Sequence, residues 1–392
     1  MQKFNKINSV EGIRGIACLM VFLSHLSSTF APSMHTGNAS QAKSSYEMLI
    51  HNSPFAFFYS GVAAVSIFFV LSGFILSHVI LTSKNLPLSI AGMALKRYWR
   101  LMIPAVVSCL IAYIIFSLFK VDNSQLGDWA RRYIIESPSI VEAVKNGAVN
   151  AFFGGSTAYN WSLWTMKIEL YGTVIVLFMC SILPHIKYRK SFVIILMIIP
   201  FLMHLPSRDD IYYSAFISGV LVFLIKREIT STQGLMLFLI GLFFCGYHYH
   251  GFWYKDINSA ITITGKLKID NYILFNSIGG FLFVLSALKT NILSRTLSCK
   301  PLQYLGALSF SVYLIHQPLL YVVCPSVFNL VKSHGYSYSI SASCASFSCL
   351  IVVYFLSHFY HKYVDRFSIY FSNLFKNYAI IPNNKELPEE II

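Results

Sequence analysis

The first residues with chemistry to offer lie near the N-terminus. Ser9 to Leu26 reads SVEGIRGIACLMVFLSHL, with apolar residues filling Ile16 to Leu23. The same stretch carries Glu11, Arg14 and His25. An ionisable side chain in the middle of a bilayer helix costs about 3 kcal/mol or more, so it faces protein or a water-filled cavity rather than lipid. Arg14 and His25 are eleven residues apart. At about 100° per residue they return to nearly one face, with His25 roughly 16 Å further along the axis. Glu11 sits one turn before Arg14, within reach of an i,i+3 ion pair. One stripe therefore offers a carboxylate and a guanidinium near one end and an imidazole well inside. An imidazole titrates near neutrality and serves as a general base or as a nucleophile. Ser24 is a poor nucleophile for it, because adjacent helix residues point apart.

Other clusters follow along the chain. Phe68-Phe69-Val70-Leu71-Ser72-Gly73-Phe74 places two small residues where helices approach closely or a helix breaks locally. Lys96-Arg97-Tyr98-Trp99-Arg100, followed by Pro104, suits bidentate phosphate binding or lipid-headgroup anchoring. Trp161-Ser162-Leu163-Trp164-Thr165-Met166-Lys167-Ile168-Glu169 carries a carboxylate into an apolar run. Glu169 needs a partner there; Lys167 points to another face, so Arg14 or His25 is expected. In Leu305 to Pro318, Tyr313 and His316 are one turn apart and share a face, although a His before Gln317-Pro318 also fits a kinked, polar-lined helix end. Three weaker patterns are set aside. His204 to Asp209 and His361 to Asp365 match His-spacer-Asp motifs by chance, and Tyr247-His248-Tyr249-His250 suits an interface better than a metal. There is no G-x-S-x-G, phosphate-binding loop or dinucleotide fingerprint.

These residues must be positioned by membrane helices. The chain is 56% hydrophobic and 12% charged, about half the charge of a soluble domain. The apolar blocks place ten spans at about 10–30, 62–82, 101–119, 163–183, 191–205, 211–226, 233–250, 271–290, 302–324 and 338–360. The fold class is thus all-α, a polytopic helix bundle. The first span is too long and too charged for a cleaved signal peptide. A net charge of +14 fits positive cytoplasmic segments better than nucleic-acid binding. A cytoplasmic N-terminus puts most of the 30 Lys and Arg residues on that side, with both termini cytoplasmic and His25 in the outer half. The outer loops at 31–61 and 120–162 are long, the second containing Gly154-Gly155-Ser156; each is either a lid or acceptor surface or simply solvated. The transmembrane unit is expected over 1–376, followed by a polar tail over 377–392, with nothing left over for a soluble catalytic domain. The eight cysteines read as small buried apolar residues, not as a disulfide framework or metal site.

Taken together, the motifs resemble the acyltransferase-3 family, bacterial integral-membrane enzymes that O-acetylate O-antigens, capsules and exopolysaccharides. Glu11-Gly12-Ile13-Arg14-Gly15 through His25 is similar to the family's D/E-G-L-R-G start with its Arg and His. FFVLSGF at 68–74, Arg97 with Arg100 and Pro104, Trp164 through Glu169, and Ser309 through His316 resemble four further motifs in the same order. Met166 and Phe310 replace the usual Leu and Tyr. Val364-Asp365-Arg366-Phe367 stands where the family tends to have E-K-P, which puts a C-terminal role in doubt. The hydrolase-like domain appended to some members is not seen in this sequence.

The resemblance implies an acyl donor, acetyl-CoA or another acyl-CoA, on the cytoplasmic side of a bacterial inner membrane. The acceptor would be a glycan or lipid-linked glycan on the outer side. Arg14, Arg97 and Arg100 would hold the donor. His25 would act as base or be transiently acylated, with Glu169 or Glu11 orienting it or offsetting positive charge. Glu11, Ser72, Trp164, Tyr313 and His316 would contact substrate. No tightly bound cofactor and no metal is expected. A transporter of glycans or small acids would also carry intramembrane Arg, His and Glu, and is the alternative from another class.

Overall fold

Backbone polar groups in a bilayer must be satisfied within their own segment, so apolar runs of about 20 residues fold as helices. The structure is a computed structural model that describes residues 8–155, 157–202, 208–257 and 270–380. Lys3, Lys6, Ser156, His204 and the tail from Pro382 to Ile392 lie outside the described residues. The main helices are α1 (Asn8–Phe30), α2 (Gly61–Leu81), α3 (Leu86–Leu118), α4 (Thr165–Ile182), α5 (Arg189–Leu202), α6 (Arg208–Leu224), α7 (Ser231–Cys245), α8 (Asn271–Lys289), α9 (Lys300–Ser333), α10 (Tyr338–Tyr360) and α11 (Arg366–Ala379). No strand occurs among the described residues. The chain is an all-α polytopic membrane bundle.

Each of the ten expected segments coincides with a helix. Seven helical stretches are long and apolar enough to cross a membrane, those built on α1, α2, α3, α4, α8, α9 and α10–α11. Helices α5, α6 and α7 have 14, 17 and 15 residues, short of a full span by length. Two boundaries differ from expectation. Helix α3 begins at Leu86 rather than near 101, because Asn85 caps it, accepting from the Leu88 N–H at 3.1 Å, and Pro87 fits the first turn. Arg97 and Arg100 are therefore held on a continuous helix. Helix α9 does not end near 324 but runs on to Ser333 through Pro318 and Pro325, with His316 inside it rather than at a kinked end. Pro318 has no N–H to give, which frees the Leu314 carbonyl one turn earlier. The Asn160 amide fills that vacancy, donating at 2.7 Å.

The first helix is the hub, packed along α9 and against α2, while α2 also contacts α4, α6 and α8. Small residues let these backbones touch. A Cβ on Gly306 would lie 1.9 Å from the Glu11 carbonyl oxygen. One on Gly73 would lie 2.0 Å from the Phe216 carbonyl, so the Ser72-Gly73 pair serves close approach within an unbroken α2. The loop over 120–162 is docked rather than merely solvated. Its Gly127 N–H donates to Thr29 at 2.8 Å, and short helical turns at Ile140–Lys145 and Asn146–Gly154 pack on α3. All eight cysteines are free; six are buried, while Cys299 and Cys344 depart from expectation in being exposed.

Candidate active site

Two cavities meet in the bundle. The first, of about 290 Å³, is lined by Arg14, Ser72, Arg97, Arg100, Glu169 and Tyr313 among others. The second, of about 340 Å³, is lined by Ser24, His25, Trp129, Trp161, Trp164, Arg208 and Gln317, and also by Tyr313. Val65 and Tyr313 line both and so stand at the wall between them. The helical stripe of α1 thus delivers Arg14 to one cavity and His25 to the other, as its spacing requires.

Each arginine of the first cavity has a carboxylate. Arg14 lies 3.7 Å from Glu11 on its own helix. Arg97 pairs with Glu169, whose other oxygen accepts from the Ser72 hydroxyl at 3.0 Å. The expected partners of Glu169, Arg14 or His25, are thereby corrected. The α2–α3–α4 packing brings Arg97 to it instead. Neither Glu169 nor Glu11 orients His25. Arg100 pairs with Asp365 at 2.6 Å and donates to the Ser368 hydroxyl at 2.8 Å, with its guanidinium 5.1 Å from the Phe310 ring centre. Asp365 also binds the His361 imidazole at 2.9 Å. The His361–Asp365 pattern set aside in the sequence is a real contact, and it gives the C-terminal segment a role in holding Arg100. What hid it was the missing proline and the cheapness of the motif. The cavity is a cage of fixed, largely compensated charge. Its guanidinium groups retain N–H donors suited to phosphate or carbonyl oxygen.

The second cavity is lined by His25, which pairs behind the wall with the buried His316. His25 Nδ1 and His316 Nε2 are 2.7 Å apart. His316 Nδ1 faces two carbonyl oxygens, Val312 at 3.0 Å and Tyr313 at 2.8 Å. Carbonyls only accept, so that nitrogen carries the hydrogen. In neutral His316, Nε2 is then an acceptor, and His25 Nδ1 must donate to it. The chain of partners therefore assigns the lone pair of His25 to Nε2. Nothing among the described residues hydrogen-bonds that atom. A ring-stacked Trp129, 4.6 Å between centroids, fixes the imidazole plane. His316 was expected to touch substrate. It is 1% exposed and acts on His25 instead.

Tyr313 shares the face of His316, as its spacing predicts, but its hydroxyl is spent on the Ser162 carbonyl at 2.7 Å and on Thr165 at 2.9 Å. The Trp161 to Trp164 turn is pinned to α9. Gln317 Oε1 accepts from the Ser162 N–H at 2.8 Å and hydroxyl at 3.0 Å. This turn presents Trp164, over which the Arg208 guanidinium lies at 3.7 Å. Sequence reasoning missed Trp129 and Arg208. Trp129 sits on the five-residue helix Asp128–Arg132 within the 120–162 connection, too short to show helical periodicity, and Arg208 was passed over with the His204–Asp209 pattern. Lys167 faces away from Glu169 as expected and pairs with Asp209 at 2.9 Å. His248 faces only acceptors, the Gly246 carbonyl from Nδ1 at 2.8 Å and the His51 carbonyl from Nε2 at 3.1 Å, so it is the imidazole N–H that donates there. Among the described residues, no group of three or more His, Cys, Asp or Glu side chains is arranged to hold a metal.

A site of this kind, an imidazole held in one tautomer beside a cage of guanidiniums, is equipped for acyl transfer. The comparisons agree. The acyltransferase-3 family model, described as an acyltransferase domain, matches residues 7–358. The peptidoglycan O-acetyltransferase OatA of Listeria monocytogenes serovar 1/2a is 23% identical over 372 residues, covering 81% of this chain and 50% of the relative. The chain thus spans about half the length of that curated relative. No solved structure matches. With nearly the whole chain under one family model, the protein belongs to the acyltransferase-3 family.

Proposed function

We propose that this enzyme moves an acyl group, acetyl in the first instance, from acyl-CoA to a hydroxyl of an extracytoplasmic glycan. The donor enters the arginine cavity from the cytoplasm, with Arg14, Arg97 and Arg100 engaging its phosphates or the polar pantetheine arm. The acceptor, an O-antigen, capsule, exopolysaccharide or peptidoglycan sugar, enters the histidine cavity from outside. Peptidoglycan joins this set because the listerial relative is named for it. This reading sets the protein in a bacterial cytoplasmic membrane with both termini inside.

The observation that carries the reading is the His25–His316 pair at one end of α1 and the arginines at the other, in cavities that share Tyr313. In direct transfer, His25 Nε2 takes the proton of the acceptor hydroxyl as its oxygen attacks the thioester carbonyl. The carbon–sulfur bond breaks, and the departing thiolate receives the proton back from His25. In the two-step route the same Nε2 attacks the thioester carbonyl first, displacing CoA as its thiolate and leaving an acyl-imidazolium; the sugar oxygen then takes the acyl group as the imidazole departs neutral, and the hydroxyl proton ends on the thiolate. Both routes need the lone pair on Nε2, which the His316 contact supplies.

The test is radiolabelled acetyl-CoA with the protein in nanodiscs and glycan acceptors present. Wild type should release CoA and label the glycan; His25→Ala should insert normally and do neither. Acylation retained by His25→Ala would remove the central role of that imidazole. Substrate movement without CoA release would favour a transporter instead.

A further inference from the structure

The histidine cavity has donors that acyl transfer itself does not use. Arg208, at the start of α6, stacks on Trp164 with its guanidinium carbon 3.7 Å from the ring centre. The indole takes the face of the guanidinium, the Tyr212 hydroxyl meets part of its edge, and the five-donor fork keeps further in-plane N–H groups for a ligand. Its sequence neighbour Asp209 is engaged by Lys167 at 2.9 Å. No carboxylate among the described residues is within ion-pair distance of Arg208. The second donor is Gln317. Its Oε1 is committed to Ser162, which fixes the orientation of the amide. Nε2 is left buried with no partner among the described residues, in a side chain that is 0% exposed. A buried donor without an acceptor is costly and calls for a ligand or water. Trp129 and Trp161 complete the lining, and flat aromatic faces of this kind suit the C–H face of a sugar ring.

We infer that the histidine cavity selects an acceptor glycan bearing an oxyanion close to the acylated hydroxyl, with Arg208 as the residue that recognises it. This rests on the acyl-transfer reading above and adds the chemical class of the acceptor. The Arg208 fork grips the oxyanion in bidentate fashion, while Trp164 holds the fork in place. The hydroxyl beside that oxyanion is then presented to His25 Nε2 in the same cavity. The oxyanion is a carboxylate on the sugar or a phosphate of the lipid carrier; both offer the same paired oxygens.

Three acceptors separate these sources: a uronate-bearing oligosaccharide, its neutral counterpart, and the neutral oligosaccharide on a polyprenyl phosphate. Wild type should prefer at least one anionic acceptor over the neutral one in kcat/KM. Arg208→Gln should reduce that preference by about 10- to 100-fold, the usual loss for a charge-assisted hydrogen bond. Arg208→Lys should restore only part of it, lacking the planar fork. The KM for acyl-CoA should stay level in both variants. No anionic preference in wild type, or an equal loss on neutral and anionic acceptors in Arg208→Gln, would overturn the proposal. Equilibrium binding of the same oligosaccharides to nanodiscs reads the preference without turnover. If wild type binds the anionic glycan through Arg208 yet releases no CoA, it is the acyl-transfer reading that fails, not this one.

Discussion

The tautomer assignment at His25 makes a strong demand on a residue that touches no substrate. Replacing His316 by Phe keeps an aromatic ring of similar bulk in a site that is 1% exposed, so packing is largely preserved. What disappears is the acceptor 2.7 Å from His25 Nδ1. The His25 N–H is then left in a half-buried site without a partner, at a cost of about 1–3 kcal/mol. His25 recovers part of that cost by moving its hydrogen to Nε2 and turning towards the cavity, and the lone pair needed for chemistry is lost as it does so. If the whole cost falls on the transition state, kcat drops about 5- to 150-fold. His316 does not line the arginine cavity, so the KM for the acyl donor should not change. The assay is steady-state CoA release with the glycan acceptor saturating, for wild type, His316→Phe, His25→Ala and the double variant. Residues acting as one unit are not additive. The double variant should therefore be no worse than His25→Ala alone. A kcat for His316→Phe within twofold of wild type would refute the tautomer argument, as would a change confined to donor KM.

Two further predictions follow from named contacts. Asp365→Asn leaves Arg100 without its charge partner; acyl-CoA KM should rise about tenfold with kcat changed less, consistent with a lost charge-assisted contact. A fall in kcat at constant KM would mean that Asp365 does not act through the donor site. The other prediction concerns pH. Burial pushes the His35 imidazole down to about 4; the Ser24 carbonyl opposes this, while His248 and His51 add to the fall. A depressed folded value means the native state resists protonation. Its contribution to stability is full above the ordinary value near 6.5 and is lost as pH falls from there towards 4. His35 bridges to Ser27 on α1 at 2.7 Å. Amide protection factors over 31–60, taken against the intrinsic exchange rate at each pH, should therefore fall between pH 7 and pH 5, and His35→Gln should flatten that dependence. Identical pH profiles in the two proteins would exclude His35 as the cause.

What the sequence alone determined was what periodicity and composition carry. The ten apolar segments all became helices, because a backbone in hydrocarbon has few other ways to satisfy itself. Arg14 and His25 fall on one stripe because 3.6 residues per turn leaves little freedom over eleven residues. Glu11 and Arg14 pair within a turn for the same reason, and the motif order named the family. What only the tertiary structure decided was which charge meets which across helices. Glu169 meets Arg97, 72 residues away, rather than Arg14 or His25. His25 meets His316 across 291 residues, and Asp365 returns from the C-terminal end to hold Arg100. A helix fixes the faces of its own residues, but the neighbour each face meets depends on crossing and depth. Here those are set by contacts such as Gly306 on the Glu11 carbonyl and Gly73 on Phe216. Trp129 and Arg208 stayed invisible for a related reason. Short helical turns and helix starts have no periodicity to mark a functional side chain, and only the folded chain brings Trp129 onto His25 and Arg208 onto Trp164.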